Sequence, residues 1–202
     1  MTRDPAEPPY TIVSRETVWN GFCRLEKVVF DRRTVTGRLH RHTFEIESHG
    51  HASAVLPYDP VARAGVLVRQ LRLPQALQGA DPMSLEIIAG LLDVDGEGPD
   101  AVARREAMEE AGLDLVALQP IGAFRPSPGL VSEKVWLYLA EIDLATARVA
   151  AGGGLDHEGE DLEVVVMPLA DLARLVDEGA DLDLKTAYAV QVLRAKRPDL
   201  FG

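Results

Sequence analysis

Cysteine is nearly missing from this chain: among 202 residues only Cys23 occurs, so no intramolecular disulfide can form. That suits a reducing compartment. Positive charge is also short. Lys and Arg number 21 against 32 Asp and Glu, for a net charge of −11. Such a balance argues against wrapping a nucleic-acid backbone, where affinity comes from neutralising phosphates. It also disfavours an anionic membrane surface, while leaving room for a bound cation. No uninterrupted apolar run approaches the ~20 residues that span a bilayer. Met1 to Tyr10 (MTRDPAEPPY) is polar and proline-rich, with no apolar signal region. Internal repeats and low-complexity tracts are absent as well. What is present, 47% apolar and 26% charged residues, is ordinary for a globular chain. A chain of this length buries roughly 70% of its unfolded surface and needs no covalent staple. The expectation is a soluble cytoplasmic protein with neither nucleic acid nor membrane as partner.

The first ten residues read as a frayed tail. Beyond them Val28 to Phe30 and Leu39 to Glu47 read as short strands, with Thr34 to Gly37 as the turn between them. In the second run His40, His42, Phe44 and Ile46 share one face, because strand side chains alternate. Residues 1–50 are therefore expected to form a tail and a small antiparallel β unit. The segment Phe22 to Glu47 cannot bury its apolar face alone, so a homodimer built on it is expected. Residues 51–202 read as the main domain. Ala52 to Pro57, Gly65 to Gln70, Ser84 to Ala89, Val135 to Ile142 and Leu162 to Met167 are predicted strands. Leu73 to Pro82 is read as a loop. Helices are expected from Asp100, as N-cap, to Ala111 with Gly112 as the stop, from Pro168 to Asp177, and from Leu184 to Lys196. Interleaved strands and helices indicate an α/β sandwich with a mixed sheet.

The informative segment is Ala89 to Leu113, AGLLDVDGEGPDAVARREAMEEAGL. On its helix Glu106 lies three residues before Glu109 and four before Glu110, so one face gathers three carboxylates. Like charges at that spacing repel, and Arg105 offsets only part of the cost. Taken alone, an E-x-x-E-E helix reads as a solvated acidic face. As a ligand set, its hard oxygens favour Mg²⁺, or Mn²⁺, over softer metals.

The surrounding residues decide between these. Glu97, seven residues, Arg105-Glu106-Ala107, one residue, Glu109-Glu110, one residue, Gly112-Leu113 reproduces the Nudix box, G-x5-E-x7-R-E-U-x-E-E-x-G-U, where U is a bulky aliphatic. Two positions depart: Ala107 is small for the first U, and Gly90 precedes Glu97 by one residue too many, as if the Asp93 to Gly96 loop carried an insertion. The chain thus resembles the Nudix hydrolases, which cleave a nucleoside diphosphate linked to another moiety with the help of divalent metal. Arg15-Glu16-Thr17, Gly21-Phe22, Gln70-Leu71-Arg72, Ser127-Pro128-Gly129 and the acidic run Leu155 to Asp161 are similar to segments of the ADP-ribose pyrophosphatase-like subfamily. Gly152-Gly153-Gly154 and Lys185-Thr186 lean instead toward the GDP-mannose hydrolases. Where the ADP-ribose enzymes have an arginine-glutamate pair in the second N-terminal strand, this chain has Thr43-Phe44, so contacts of that arginine do not carry over.

The resemblance implies a Nudix α/β/α sandwich with a mixed β-sheet, preceded by the small N-terminal antiparallel β unit. It implies hydrolysis of a nucleoside diphosphate sugar, with ADP-ribose giving AMP and ribose 5-phosphate, or else GDP-mannose giving GMP and mannose 1-phosphate. A Nudix-like sensor that binds without cleaving is the reading from another class. Metal ligands would be Glu106, Glu109, Glu110, the Ala89 carbonyl and Glu160, holding Mg²⁺ or Mn²⁺. Glu158 is the candidate general base, with Glu160 as its competitor. Arg105 is expected to orient a box carboxylate. On the substrate side stand Arg72 for a phosphate or ribose, Phe22 for the nucleobase, Glu133 and Pro128. His40-x-His42 and His49-x-His51 read as strand-face residues rather than zinc ligands, and Cys23 as a small buried hydrophobe.

Overall fold

The structure is a computed structural model that describes residues 8–150, 152–153 and 161–202. Two compact units are present: one comprises residues 1–50 with 125–133, the other 51–124 with 134–202.

The first unit is an antiparallel sheet of β1 (Tyr10–Asn20), β2 (Arg24–Arg33) and β3 (Leu39–Ser48), in that order. The chain therefore enters a strand at Tyr10, inside the stretch read as a frayed tail, and Tyr10 pairs with Arg32. β1 has no inward face to betray it, since all eleven of its residues are exposed. Cross-strand pairs hold the ribbon. Arg15 grips the buried Glu26 with two nitrogens, and Arg41 forms two 2.9 Å bonds with Asp31. The Phe30 ring meets Tyr10, His42 and Phe44, the last at 5.1 Å edge-on. The turn before β3 falls as expected: Gly37 donates to Thr34 O and has φ of 85°, which glycine adopts without strain. Residues 125–133 complete this unit, with Glu47 N–H donating to Leu130 O and Ser132 N–H to Glu47 O, both at 3.0 Å.

In the second unit β4 (Ala52–Asp59), β5 (Ala64–Leu71), α1 (Leu73–Leu77), β6 (Met83–Glu86), β7 (Ile88–Leu91), α2 (Pro99–Ala111), β8 (Gln119–Phe124), β9 (Val135–Glu141), β10 (Gly152–Gly153), β11 (Leu162–Pro168), α3 (Leu169–Asp177) and α4 (Leu184–Lys196) follow in order. The sheet runs β10-β11-β5-β4-β9-β8, with β6 on β5 and β7 on β4. β4 pairs parallel with β9 and antiparallel with β5 and β7, so the sheet is mixed. Every residue of β4 is buried, as a central strand covered on both faces requires. Ala54, Leu56 and Tyr58 face α3 and α4, among Leu169, Leu172, Val190 and Leu193. Val55, Val66 and Val68 face α2. The expected α/β sandwich is thus present.

Four local expectations are corrected. Asp100 does not cap α2; Gly98 is the N-cap, Pro99 opens the helix and Asp100 lies in the first turn. Proline is pre-organised for that first position, which displaces the cap by two residues. The loop after β5 contains the short α1. Ser84 to Ala89 is two strands, broken at Ile87, whose N–H donates 2.8 Å to the buried Thr186 Oγ1. Gly152 and Gly153, expected in a mobile loop, pair with Glu163 and Leu162. A Cβ on Gly152 would lie 2.8 Å from Leu162 O, so the approach requires glycine.

Candidate active site

Helix α2 meets the sheet through alanine. Ala103, Ala107 and Ala111, spaced four apart, are fully buried against Val55, Val66, Ile88 and Tyr138. Small side chains let the helix axis come close, which accounts for Ala107 where the box pattern has a bulky residue. Ser53 Oγ anchors the helix start by donating 2.6 Å to Pro99 O. At the other end Gly112 adopts the left-handed conformation (φ 67°) and Leu113 N–H returns to Ala107 O at 2.9 Å.

This seating puts Glu106 and Glu110 in the buried set, beside the alanine stripe, while Glu109 is half-buried. Glu106 passes over β7 so closely that a Cβ on Gly90 would lie 1.9 Å from Glu106 Oε1. Gly90 is opposite Ser53 and Ala89 opposite Ala54 in the β4–β7 ladder, so the backbone under Glu106 is fixed. Arg105 gathers the acidic groups. It stands 2.8 Å from Glu106, 3.0 Å from Glu109, 3.3 Å from Glu97 and 3.5 Å from Asp93, and donates to Leu91 O. Burial works to lower the Arg105 pKa, but the Glu106, Glu109 and Glu97 carboxylates outweigh it and raise it.

Among the described residues no three His, Cys, Asp or Glu side chains converge on one point. Arg105 is the cation that pairs with Glu106, Glu109 and Glu97. The donor set nevertheless fits a hard divalent ion: three carboxylates on one helical turn, beside the peptide of Ala89 and a glycine that clears their approach. Glu106, Glu109, Glu110 and the Ala89 carbonyl could hold it. Glu158 and Glu160 lie outside the described residues.

A second cluster surrounds Arg72, and it differs from a free substrate-gripping arginine. Arg72 Nε and Nη2 bond Glu86 Oε1 and Oε2 at 2.7 and 2.9 Å. Lys185 Nζ reaches the same Oε2 at 2.6 Å and Asp183 Oδ1 at 3.1 Å. Burial pushes the Glu86 carboxyl up, yet the Arg72 bonds and the Lys185 charge overcome it and hold the pKa at about 2. Lys185 and Thr186 tie the start of α4 to this cluster: the lysine bonds Glu86, and the threonine receives the Ile87 N–H while bonding Asp183.

The remaining residues singled out in the sequence lie in the first unit. Phe22, 85% exposed in the β1–β2 loop, stacks on His49 with centroids 6.3 Å apart and planes 15° from parallel. His49 Nδ1 sits 2.9 Å from Glu47, and its Nε2 lies 3.7 Å from Glu133. Pro128 occupies a turn in which Leu130 and Val131 N–H return to Ser127 O. Phe22 and Glu133 are therefore linked through His49, which sequence reasoning did not connect to either. Glu86 was missed too. Its signal would have been an acidic residue in an otherwise apolar strand, SLEIIA, which requires a buried cationic partner.

Comparison with known proteins adds to this geometry. A family model described as the NUDIX domain matches residues 48–188. An ADP-ribose pyrophosphatase of Escherichia coli (strain K12) is 36% identical over 184 residues, covering 91% of this chain and 87% of that protein. A GDP-mannose pyrophosphatase of Cronobacter sakazakii is 35% identical over 173 residues, covering 85% and 88%. A solved structure described as an ADP compounds hydrolase superposes with a TM-score of 0.71 at 22% identity, covering 97% of this chain and 98% of that one. That last likeness speaks for the fold.

Proposed function

Since the chain belongs to the Nudix family, we propose that it hydrolyses the pyrophosphate bond of a nucleoside diphosphate sugar, with ADP-ribose as substrate and AMP and ribose 5-phosphate as products. The observation that carries this reading is the seating of Glu106 and Glu110 beside β7, where Gly90 leaves room for a carboxylate and nothing larger than hydrogen. A solvated acidic face would have no reason to be buried there. The same costly arrangement argues against a pure sensor, which needs no such carboxylate set.

A divalent cation, Mg²⁺ in this proposal, supplies neutralisation of phosphate oxygens and a more acidic water when bound. Glu106, Glu109, Glu110 and the Ala89 carbonyl would hold it. Arg105 keeps Glu106 and Glu109 oriented, as outer partners of ligands do. Glu158 accepts the proton of the attacking water, with Glu160 as ligand or as its substitute. Arg72 offers Nη1 to a phosphate oxygen, and the exposed Phe22 offers a face to the base. Residues 1–50 pair two copies, residues 51–202 carry the hydrolase, and a free Cys23 suits the cytoplasm.

Incubation of pure protein with Mg²⁺ and a panel of nucleotide sugars, followed by chromatography, tests the reading. AMP and ribose 5-phosphate from ADP-ribose are expected, with ¹⁸O from labelled water in a phosphate. GMP and mannose 1-phosphate formed faster from GDP-mannose would shift the substrate. Binding without turnover would make the protein a sensor, and label at the anomeric hydroxyl would make it a glycosidase.

A further inference from the structure

Glu86 has an asymmetric environment. Its side chain is 4% exposed, yet the Arg72 side chain bonded to it is 43% exposed. The buried carboxylate has lost its water and depends on the cations bonded to it, whereas the guanidinium keeps an edge open to solvent. The carboxylate spends both oxygens on Nε and Nη2 of Arg72. Nη1 has no hydrogen-bond partner among the described residues. Glu86 lies opposite Val68 in the β5–β6 ladder, and Val68 packs in the cluster that Ala103, Ala107 and Ala111 of α2 complete, so the pair stands on strands that α2 covers.

Three elements fix this geometry. Arg72 follows β5 directly, and its N–H donates 2.7 Å to Pro82 O, closing the β5–β6 hairpin. Glu86 ends β6, opposite Val68. Lys185 stands in the first turn of α4, where Asp183 caps the helix by accepting from Thr186 N–H at 3.0 Å. The Ile87 N–H to Thr186 Oγ1 bond ties that helix start to the residue after Glu86. Lys185 on Oε2 draws part of the carboxylate's charge from Arg72, leaving the guanidinium with attraction for an anion. A guanidinium held along one edge keeps a rigid fork with its other nitrogen in a set direction, which suits a phosphate oxygen.

We propose that Glu86 and Lys185 are positioning residues for the substrate: together they aim Arg72 Nη1 at a phosphate oxygen beside the α2 carboxylates. This rests on the pyrophosphatase reading and adds to it the means by which α4, remote in sequence, sets substrate affinity.

The test is a set of Arg72→Gln, Lys185→Gln, Glu86→Gln and Arg72→Gln/Lys185→Gln proteins. KM and kcat for ADP-ribose are measured with Mg²⁺, Kd for ADP-ribose by calorimetry in EDTA, and Tm for each protein. Loss of the Arg72 charge-assisted bond is expected to raise KM and Kd at least about tenfold. Lys185→Gln is expected to raise both about three- to tenfold with kcat within about twofold. The double variant should bind no more weakly than Arg72→Gln, because Lys185 acts through Arg72. A lower Tm with unchanged KM and Kd in Lys185→Gln, or KM effects that multiply in the double variant, would overturn the proposal. Should Glu86→Gln not fold, Lys185→Gln carries the test, since it leaves the Arg72–Glu86 pair intact. ADP-ribose that binds in EDTA but is not cleaved with Mg²⁺ would sink the pyrophosphatase reading while the Kd pattern still judges the positioning device. Wild-type protein that neither binds nor cleaves it would overturn both.

Discussion

A single hydrogen on Gly90 lets Glu106 cross the backbone of β7, because a methyl there would meet Oε1 at 1.9 Å and Cγ at 2.6 Å. Gly90→Ala must push the carboxylate aside or lift α2. Overpacking of this kind costs about 1–3 kcal/mol, and a ligand displaced by an ångström costs on the order of 10²-fold in rate. Turnover of Gly90→Ala is therefore expected to fall about a hundredfold with a lowered Tm; wild-type kinetics would show that Glu106 is placed otherwise. Glu86 makes a prediction about acid. Its folded pKa, about 2, lies below the ordinary 4.5. The stabilisation is complete above about pH 4.5 and is lost as pH falls from there toward 2, amounting to about 3 kcal/mol at neutral pH. Melting curves of wild type and Glu86→Gln should converge as pH drops from 6.5 to 3. A gap that stays constant would mean that Glu86 is not held ionised by Arg72 and Lys185.

At the scale of elements, α2 supports a prediction of its own. Glu110→Gln keeps shape and burial but removes a charge, so turnover should fall at least ~10²-fold while Tm in EDTA is retained. Near wild-type turnover at saturating Mg²⁺ would show that this helix is not the metal site. The helix was legible in sequence because box spacing and glycine stop both act locally, and α4 was legible over its full Leu184–Lys196 range. Other elements depended on partners the sequence does not display. β1 carries no alternation, since neither of its faces is covered within its own unit. The break between β6 and β7 is imposed by Thr186, 99 residues away. β8 went unread because Pro120 and Gly122, where its pairing with β9 shifts register, look like loop residues. Among site residues, the α2 carboxylates could be found from spacing. The partners of Arg72 and of Phe22 could not, for Glu86, Lys185 and His49 come together only through the fold.

For the whole molecule the first prediction is its assembly. The N-terminal sheet leaves Trp19 62% and Phe22 85% exposed. Apolar exposure of this kind on a three-stranded sheet, with Ile12, Val18 and Phe44 also open, calls for a partner surface. A stable pairing buries on the order of 1,000 Å² or more. Light scattering at micromolar protein should return twice the 22.0 kDa chain mass. A mass of one chain would reject the dimer and, with it, any role for Phe22 across subunits.

The interleaving of the two units bears on how the protein is born. Glu47 of β3 donates to Leu130 O and accepts from Ser132 N–H, and β4 takes its parallel neighbour from Val135–Glu141, so the first unit waits for residues 125–133 and the second for residues beyond 134. At ~5–20 residues per second, the roughly 80 residues between Ser48 and Pro128 take on the order of 4–16 s to make. During that interval the nascent β3 edge is open to neighbouring chains on the same polysome. Arg41, Glu45 and Glu47 along it are the kind of charges that keep such an edge from being captured.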